Sequence, residues 1–501
     1  MAVPDPTIFK AYDIRGIYGS QIDGELAFGI GRAFARVLGR LSGKRPDHLT
    51  VGLGRDMRLS AAELSSRYRE GLLAEGASVL DIGQVATEML YYLVGSRDLD
   101  GGLMCTASHN PKAYTGAKLV RRGAIPLSGE SGIDEIRREV EADLRRRGAG
   151  GGAPESTASE AAGGAGGGAL ERADVPAVEE LDIYQEFQEA ALRFIDQRAM
   201  KPLKVVLDGG NGMAGPMVGP LLERLPLQLT QTYWTPDGSF PDHEPNPLLP
   251  ENRQFIIEQV RRTGADLGIA WDGDADRCFF IDEQGQFVDG DFLTALLAQS
   301  LLRKQGSGSA LPGSPGEASQ PAGPPPPQRI LYDVRASWAV PDTVRAAGGI
   351  AEVNRVGHAF FKTRMRREGA LFGGEVSGHY YFRDFYCADS GTLPALLMLE
   401  HLSLTGRSMS QLLAPMRERY FISGEINSEV ADQQGKIEEI ARRYADARQC
   451  TIDGISIEYE DWHFNVRPSN TEPLLRLCLE SVRSRQHMEE RRDEVLELIR
   501  S

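Results

Sequence analysis

The sequence predicts an α/β protein of three similar units followed by a smaller α+β unit, and three observations lead there. At about 150 residues per domain, 501 residues make three or four domains. Apolar strand patterns that end in a polar turn and open into helical stretches recur at HLTVGLGRD, PLKVVLDGG and QRILYDVRA. Further along each unit a second apolar run opens into an unusual polar loop: GGLMCTASHNP, ADLGIAWDGDADR and GALFGGEVSGH. Ligands of open α/β sheets bind beyond the carboxyl ends of the strands, so three such loops can converge on one cleft.

The elements follow in order. The first unit is expected over residues 1–147 and closes on a charged amphipathic helix, IDEIRREVEADLRRR. Residues 148–171 are nearly all Gly, Ala, Ser, Thr and Glu, the composition of a flexible linker. The second unit, 172–287, opens on a helical pattern, VEELDIYQEFQEAALRFI, and carries the aspartate-rich loop. The third, 288–405, starts with the helix pattern DFLTALLAQSLL, and its residues 306–328, rich in Pro, Gly, Ser and Ala, read as a disordered insertion. The last, 406–501, reads from Tyr420 as strand (YFISGEI), helix (KIEEIARRYADA), a hairpin turning at Asp453-Gly454, two strands around RPSNTEP, and a helix from about Met488.

Lys and Arg total 56 against 71 Asp and Glu, a net charge of −15 that argues against broad binding to nucleic acid or anionic membranes. With 41% hydrophobic and 25% charged residues and a mean hydropathy of −0.31, the chain is expected to be globular and soluble. The start, MAVPDPTIFKAYDIRG, lacks the basic cluster and apolar run of a secretory signal, and no stretch has the apolar length of a membrane helix, so a cytosolic protein is expected. Five cysteines lie far apart with no C-x-x-C pair, so reduced, mostly buried thiols are expected.

Four loops hold the candidate chemistry. Asp272, Asp274 and Asp276 alternate along what reads as an extended loop, turning their oxygens toward one point, which suits a hard cation such as Mg²⁺ with positions left open for a phosphate oxygen. A calcium EF-hand is excluded because Arg277 stands where the sharp turn needs Gly and strand patterns flank the loop. Thr106-Ala-Ser108-His109-Asn110-Pro111 displays a serine beside a histidine, with Lys118 ten positions on. That set serves as nucleophile, acid/base and charge stabiliser, though an ordinary Ser/Asn/Pro turn has the same composition. Glu375, Ser377 and His379 stand at alternate positions among glycines, as paired donors and acceptors for sugar hydroxyls would. Arg467, Ser469, Asn470 and Thr471, with Arg476 behind, suit the oxygens of a phosphate. Gly210-Asn-Gly212-Met-Ala-Gly215 has the spacing of a dinucleotide loop, but a tight strand-to-helix turn accounts for it equally.

AYDIRG, TASHNP, DGDADR, GGEVSGH and RPSNTEP, in this order, resemble the α-D-phosphohexomutase superfamily, and most closely its bacterial phosphomannomutase/phosphoglucomutase branch. The resemblance covers nearly the whole chain except the two biased segments. It implies three similar α/β domains with mixed sheets plus a smaller C-terminal α+β domain around a central cleft. It further implies that Ser108 carries the phosphoryl group and joins Asp272, Asp274 and Asp276 around Mg²⁺, with Arg277 nearby. Lys118 and His109 look like the acid/base and charge-stabilising groups. Tyr12 and Arg15 look like first-domain cleft residues, His358 (in VGHAFFK) like a substrate contact, and Glu375, Ser377 and His379 like the sugar-reading loop. Arg467, Ser469, Asn470 and Thr471 resemble a clamp on the phosphate that is not reacting. Arg335 stands where many relatives have Lys, keeping the charge but not the geometry.

The implied reaction interconverts hexose 6-phosphate and hexose 1-phosphate, of mannose and of glucose, through a hexose 1,6-bisphosphate that turns end for end. Sugar phosphates are then the partners, with neither nucleic acid nor membrane; the oligomeric state is not legible. Phosphoglucosamine mutase is a close alternative, in which Gly is expected where Asn470 stands. A Mg²⁺-dependent sugar phosphatase and a silent sugar-phosphate-binding protein are more distant ones.

Overall fold

In a computed structural model of the chain, residues 4–148, 176–306, 326–469 and 474–501 are described. The biased segments of the sequence, but for a few residues at their edges, lie outside them. The chain divides into two compact units, Met1–Ile183 and Tyr184–Ser501.

The first unit is built on one mixed sheet, in the order Ile14–Ile17, Tyr114–Arg121, Gly101–Cys105, Thr50–Arg55, Ser78–Gln84, Val178–Glu180, with Ile125–Pro126 beside Tyr114–Arg121. Helix Gly24–Ser42 starts on the Asp23 carboxylate, which accepts from Leu26 N at 2.8 Å, and ends at Gly43 in the left-handed region. Its apolar face (Ile30, Phe34, Leu38) is buried with Val51, Leu53, Leu103 and Leu119 of the sheet, each large side chain contributing about 1.5–3 kcal/mol. It packs very closely on helix Ala61–Ala74. A Cβ at Gly31 would lie 2.3 Å from the Tyr68 carbonyl oxygen, and one at Gly71 2.2 Å from that of Phe28. Helix Asp134–Gly148 forms where the charged amphipathic pattern predicts it.

One expectation is corrected. Val178–Glu180, read as the start of a helix, is an edge strand parallel to Ser78–Gln84, with Val79 opposite Val178, and the helix is only Tyr184–Leu192. Three exposed residues without alternation carry no strand signal of their own; the open edge of the sheet decides their conformation.

The second unit contains three sheets. Cys278–Asp282, Leu267–Trp271, Lys204–Asp208 and Gln228–Thr232 make the first. Ile350–Asn354, Arg329–Asp333, Phe372–Gly374, Tyr380–Phe382 and Ala388–Asp389 make the second. The third is wholly antiparallel, in the order Phe421–Glu429, Leu474–Ser481, Trp462–Pro468, Ile455–Glu458, Arg448–Cys450. Helix Thr392–Thr405 is buried from Thr392 through Ser403, so its sequence is apolar nearly all round. The charge it does carry, Glu400, is paired with Lys304 and accepts from Asp196 N at 2.7 Å.

The three mixed sheets repeat one local plan. Gly101–Cys105, Leu267–Trp271 and Phe372–Gly374 lie parallel to Thr50–Arg55, Lys204–Asp208 and Arg329–Asp333 respectively, and each is followed by an antiparallel neighbour. The polar loops singled out in the sequence are the three connections at those reversals, at the carboxyl ends of the parallel pairs. All five cysteines are free thiols, and among the described residues no helix is long and apolar enough to cross a membrane.

Candidate active site

In the first unit the loop after Cys105 is bent sharply. Ser108 is buried and takes a positive φ of 50°, a conformation uncommon outside glycine and a sign of a locally over-determined loop. Its backbone N–H bonds Thr106 Oγ1 at 2.9 Å, and its Oγ lies 3.4 Å from His109 Nδ1. Arg58, which the sequence reading missed, holds the loop from behind. Its guanidinium donates to the carbonyls of Ser108 (2.7 Å), Asn110 (2.6 Å), Pro111 (3.0 Å) and Tyr114 (3.1 Å). Asp56, fully buried, neutralises it at 3.3 Å. Strand Ile14–Ile17 lies against Tyr114–Arg121 with Arg15 opposite Gly116, which brings the Arg15 guanidinium to Asn110 Oδ1, while Asp13 pairs its other edge. Lys118, buried on the same strand Tyr114–Arg121, stands opposite Met104, and Tyr12 sits partly buried just before strand Ile14–Ile17.

In the second unit, Asp272, Asp274 and Asp276 are buried, and one carboxylate oxygen from each lies within 4.8 Å of the others. The convergence comes from a turn, not from the extended loop the sequence suggested. Ala275 N bonds the Asp272 carbonyl at 3.0 Å, and Ala275 takes a φ of 58°. Arg277 grips Asp272 on both oxygens, backbone N to Oδ1 at 3.1 Å and Nε to Oδ2 at 2.9 Å. Burial works against the Arg277 charge, but the three carboxylates, Asp272 foremost, outweigh it and hold its pKa above the ordinary value. Three buried carboxylates converging in one turn present hard oxygen donors, a set that fits a divalent ion such as Mg²⁺.

The sugar-loop candidates back onto this turn. Cys278 N donates to the Gly378 carbonyl at 3.3 Å, and Gly378 has φ 87° with Phe279 so near that an added Cβ would lie 2.6 Å from its ring. Only glycine fits there. His379 Nε2 lies 3.8 Å from Asp276 Oδ1, its Nδ1 3.1 Å from Ser377 Oγ, and its ring stacks at 6.4 Å on that of His358. Glu375 is buried; one oxygen takes the Tyr381 hydroxyl and the other the Gly357 N–H at 2.8 Å, which fixes the entry to helix His358–Glu368. Burial first, and the Asp333 carboxylate second, push the Glu375 carboxyl up to about 7.

The Arg335 side chain is only 6% exposed, its fork on Asp333 at 2.7 and 3.0 Å, with Nη1 3.2 Å from Glu425 and Nη2 3.8 Å from Glu375. Arg467 and Arg476 are directly opposite on paired strands, and Arg476 Nη2 lies 3.5 Å from Ser469 Oγ. Asn470 and Thr471 lie outside the described residues. The three loops of this unit thus form one connected run of polar groups, from the aspartate triplet through His379 and Glu375 to the arginines.

Comparisons with known proteins agree with this architecture. Models of the phosphoglucomutase/phosphomannomutase alpha/beta/alpha domains I, II and III match residues 6–147, 182–285 and 289–420, and that of the C-terminal domain matches 425–498. A Xanthomonas campestris protein named for phosphohexose mutases is 40% identical over 98% of this chain and 99% of its own. A phosphomannomutase of Escherichia coli is 38% identical over 95% of each chain. The crystal structure of a family protein from Burkholderia thailandensis superposes with a TM-score of 0.82 at 30% identity, covering 99% of this chain and 97% of that one.

Proposed function

The chain belongs to the phosphoglucomutase/phosphomannomutase family and is a phosphohexomutase; on that premise we propose that it interconverts the 1- and 6-phosphates of mannose and of glucose through a phosphoserine on Ser108. The observation that carries this reading is the convergence of Asp272, Asp274 and Asp276 in one buried turn, a set of hard donors suited to phosphoryl chemistry. Bound there, Mg²⁺ supplies positive charge for the phosphoryl oxygens.

In the first half-reaction the free sugar hydroxyl attacks the phosphorus of phosphoserine, the P–Oγ bond breaks, and the hydroxyl proton passes to a base, Lys118 or His109. The product is a hexose 1,6-bisphosphate. After it turns end for end, Ser108 Oγ attacks the other phosphorus and the departing sugar oxygen takes a proton. The unusual φ of Ser108 and the four carbonyl contacts of Arg58 support a loop held in one geometry for both transfers. Glu375, Ser377 and His379 read the ring hydroxyls, with His358 beside them. Arg467, Ser469, Asn470 and Thr471 hold the phosphate that is not reacting. The protein works in this reading on soluble sugar phosphates in the cytosol. A coupled assay with mannose 1-phosphate and glucose 1-phosphate side by side tests it; release of inorganic phosphate from either, with no 6-phosphate formed, would identify a phosphatase instead.

A further inference from the structure

Arg467 and Arg476 stand directly opposite each other on adjacent strands, an arrangement that by itself is repulsive. The structure resolves it with one side chain that no sequence motif marks. Strand Phe421–Glu429 changes register between Ile422 and Glu425, at a bulge where Gly424 takes a φ of 70°. The bulge re-aims Glu425 over the arginine pair. Its Oε1 accepts from Arg476 Nη1 at 2.9 Å, and its Oε2 from Arg467 Nη2 at 3.3 Å and from Arg335 Nη1 at 3.2 Å. Arg335 comes from the preceding sheet, at the end of Arg329–Asp333, so one carboxylate ties together cations from two sheets.

Glu425 engages each guanidinium by an Nη group only. The Nε atoms of Arg467 and Arg476 are buried without a hydrogen-bond partner among the described residues. Buried donors of this kind are costly unless a ligand or water satisfies them. Arg335 is balanced by Asp333 and Glu375, while Arg467 and Arg476 share the single carboxylate of Glu425, so that pair of arginines keeps an excess positive charge for an anion. Burial opposes the Glu425 charge, but Arg335, Arg467 and Arg476 together overcome it and lower its carboxyl to about 2, so the carboxylate stays ionised throughout the working pH range.

We propose that Glu425 is a positioning residue for the phosphate subsite: it gathers Arg335, Arg467 and Arg476 into a preassembled set, so that a phosphate dianion meets guanidiniums already oriented. This rests on the assignment of the Arg467 loop as the phosphate clamp. Pre-orientation and simple charge make opposite predictions here. Removing a negative charge beside an anion site strengthens binding if only the field matters, and weakens it if the carboxylate orients the donors.

The test is calorimetric titration of the full-length protein with inorganic phosphate, together with steady-state kinetics, for wild type and Glu425→Gln. The expected result is phosphate affinity weakened at least about tenfold, the scale of removing one partner of a desolvated ion pair. KM for the sugar phosphate should rise by a similar factor, while kcat at saturation and the melting temperature change little; a merely structural role would move the last two instead. Glu425→Asp, which keeps the charge on a shorter stem, should recover part of the loss. Unchanged or tighter phosphate binding in Glu425→Gln overturns the inference while leaving the clamp intact. Wild-type protein that binds no phosphate overturns the clamp and the inference together. If Glu425→Gln does not fold, Glu425→Asp is titrated alone, and phosphate affinity equal to wild type overturns the inference.

Discussion

The guanidinium of Arg58 donates to the carbonyl of Ser108 at 2.7 Å, and three further loop carbonyls share the same side chain. A planar fork of five N–H donors can serve such a set; a lysine ammonium, with three donors on one atom, cannot. Arg58→Lys should therefore keep the charge next to Asp56 but release part of the loop. The expected outcome is a fall in kcat of about 100-fold, the scale of a 1 Å misplacement of a reacting group. Arg58→Met should in addition destabilise the first unit by about 3–5 kcal/mol, because it removes one member of a buried ion pair with Asp56. Wild-type kcat in Arg58→Lys would show that the contacts only support the fold.

Replacing Ser108 with Ala should abolish steady turnover while sugar-phosphate binding survives, since the residues assigned to the sugar and the distal phosphate are untouched. Intact-mass analysis of active wild type should show one phosphate, on a peptide that contains Ser108. Undiminished mutase activity in the Ala variant would end the phosphoserine mechanism.

The sequence was most legible where chemistry and backbone pattern coincide. The Asp272–Asp276 run between two apolar strands, and Ser108 beyond the apolar run GGLMC, sit in the structure at the reversals those patterns imply. What was not legible depends on contacts distant in the chain. Arg58 follows its strand as an ordinary polar residue would, and nothing in GRDMR says that it reaches carbonyls about fifty positions on. Glu425 depends on a bulge, and bulges leave no mark in period-two alternation. The left-handed turn at Ala275 was missed for a related reason: alanine gives no signal for positive φ, so the loop read as extended.

Chelation should silence the enzyme and Mg²⁺ restore it. Asp274→Asn should weaken metal binding, measured by titration of the apoprotein, because a hard cation loses one of three charged donors. The barrier should rise by about 3–4 kcal/mol, the scale of a single electrostatic group at a reacting centre. Full activity after exhaustive chelation would contradict the assignment of this turn as a cation site.

The Glu375 carboxyl, pushed up to about 7 from an ordinary value of 4.5, makes stability depend on pH. The folded protein binds this proton more tightly than the unfolded chain does. The resulting stability is full below about 4.5 and is lost as pH climbs to about 7, on the order of 3 kcal/mol in all. Glu375→Gln cannot ionise and should lack this component. Urea unfolding at pH 5 and pH 8 should show a larger loss in wild type than in the variant; equal losses would mean that Glu375 stays charged in the folded protein.

The last prediction concerns the sugar. If the bisphosphate turns end for end, the same loop must hold the ring in two orientations that exchange the 1- and 6-ends. That rotation roughly swaps the 3- and 4-hydroxyls, so Glu375 and Ser377 can engage them as a pair either way round. The pair is well fixed for this: Tyr381 and Gly357 N hold the Glu375 carboxylate, and His379 holds the Ser377 hydroxyl at 3.1 Å. The 2-hydroxyl has no counterpart, because C5 carries no hydroxyl, and a site built tightly around it would accept one orientation only. Mannose and glucose differ at C2 alone, so both 1-phosphates should be turned over, with kcat/KM within about 100-fold, the range of modest pocket differences. A galactose phosphate, inverted at C4, should fail far more severely by leaving Glu375 or Ser377 without its partner. A preference between mannose and glucose of about 10⁴-fold or more would mean that the loop reads C2 directly, as dedicated hydrogen-bonding sites can, and that the ring does not bind in two equivalent orientations.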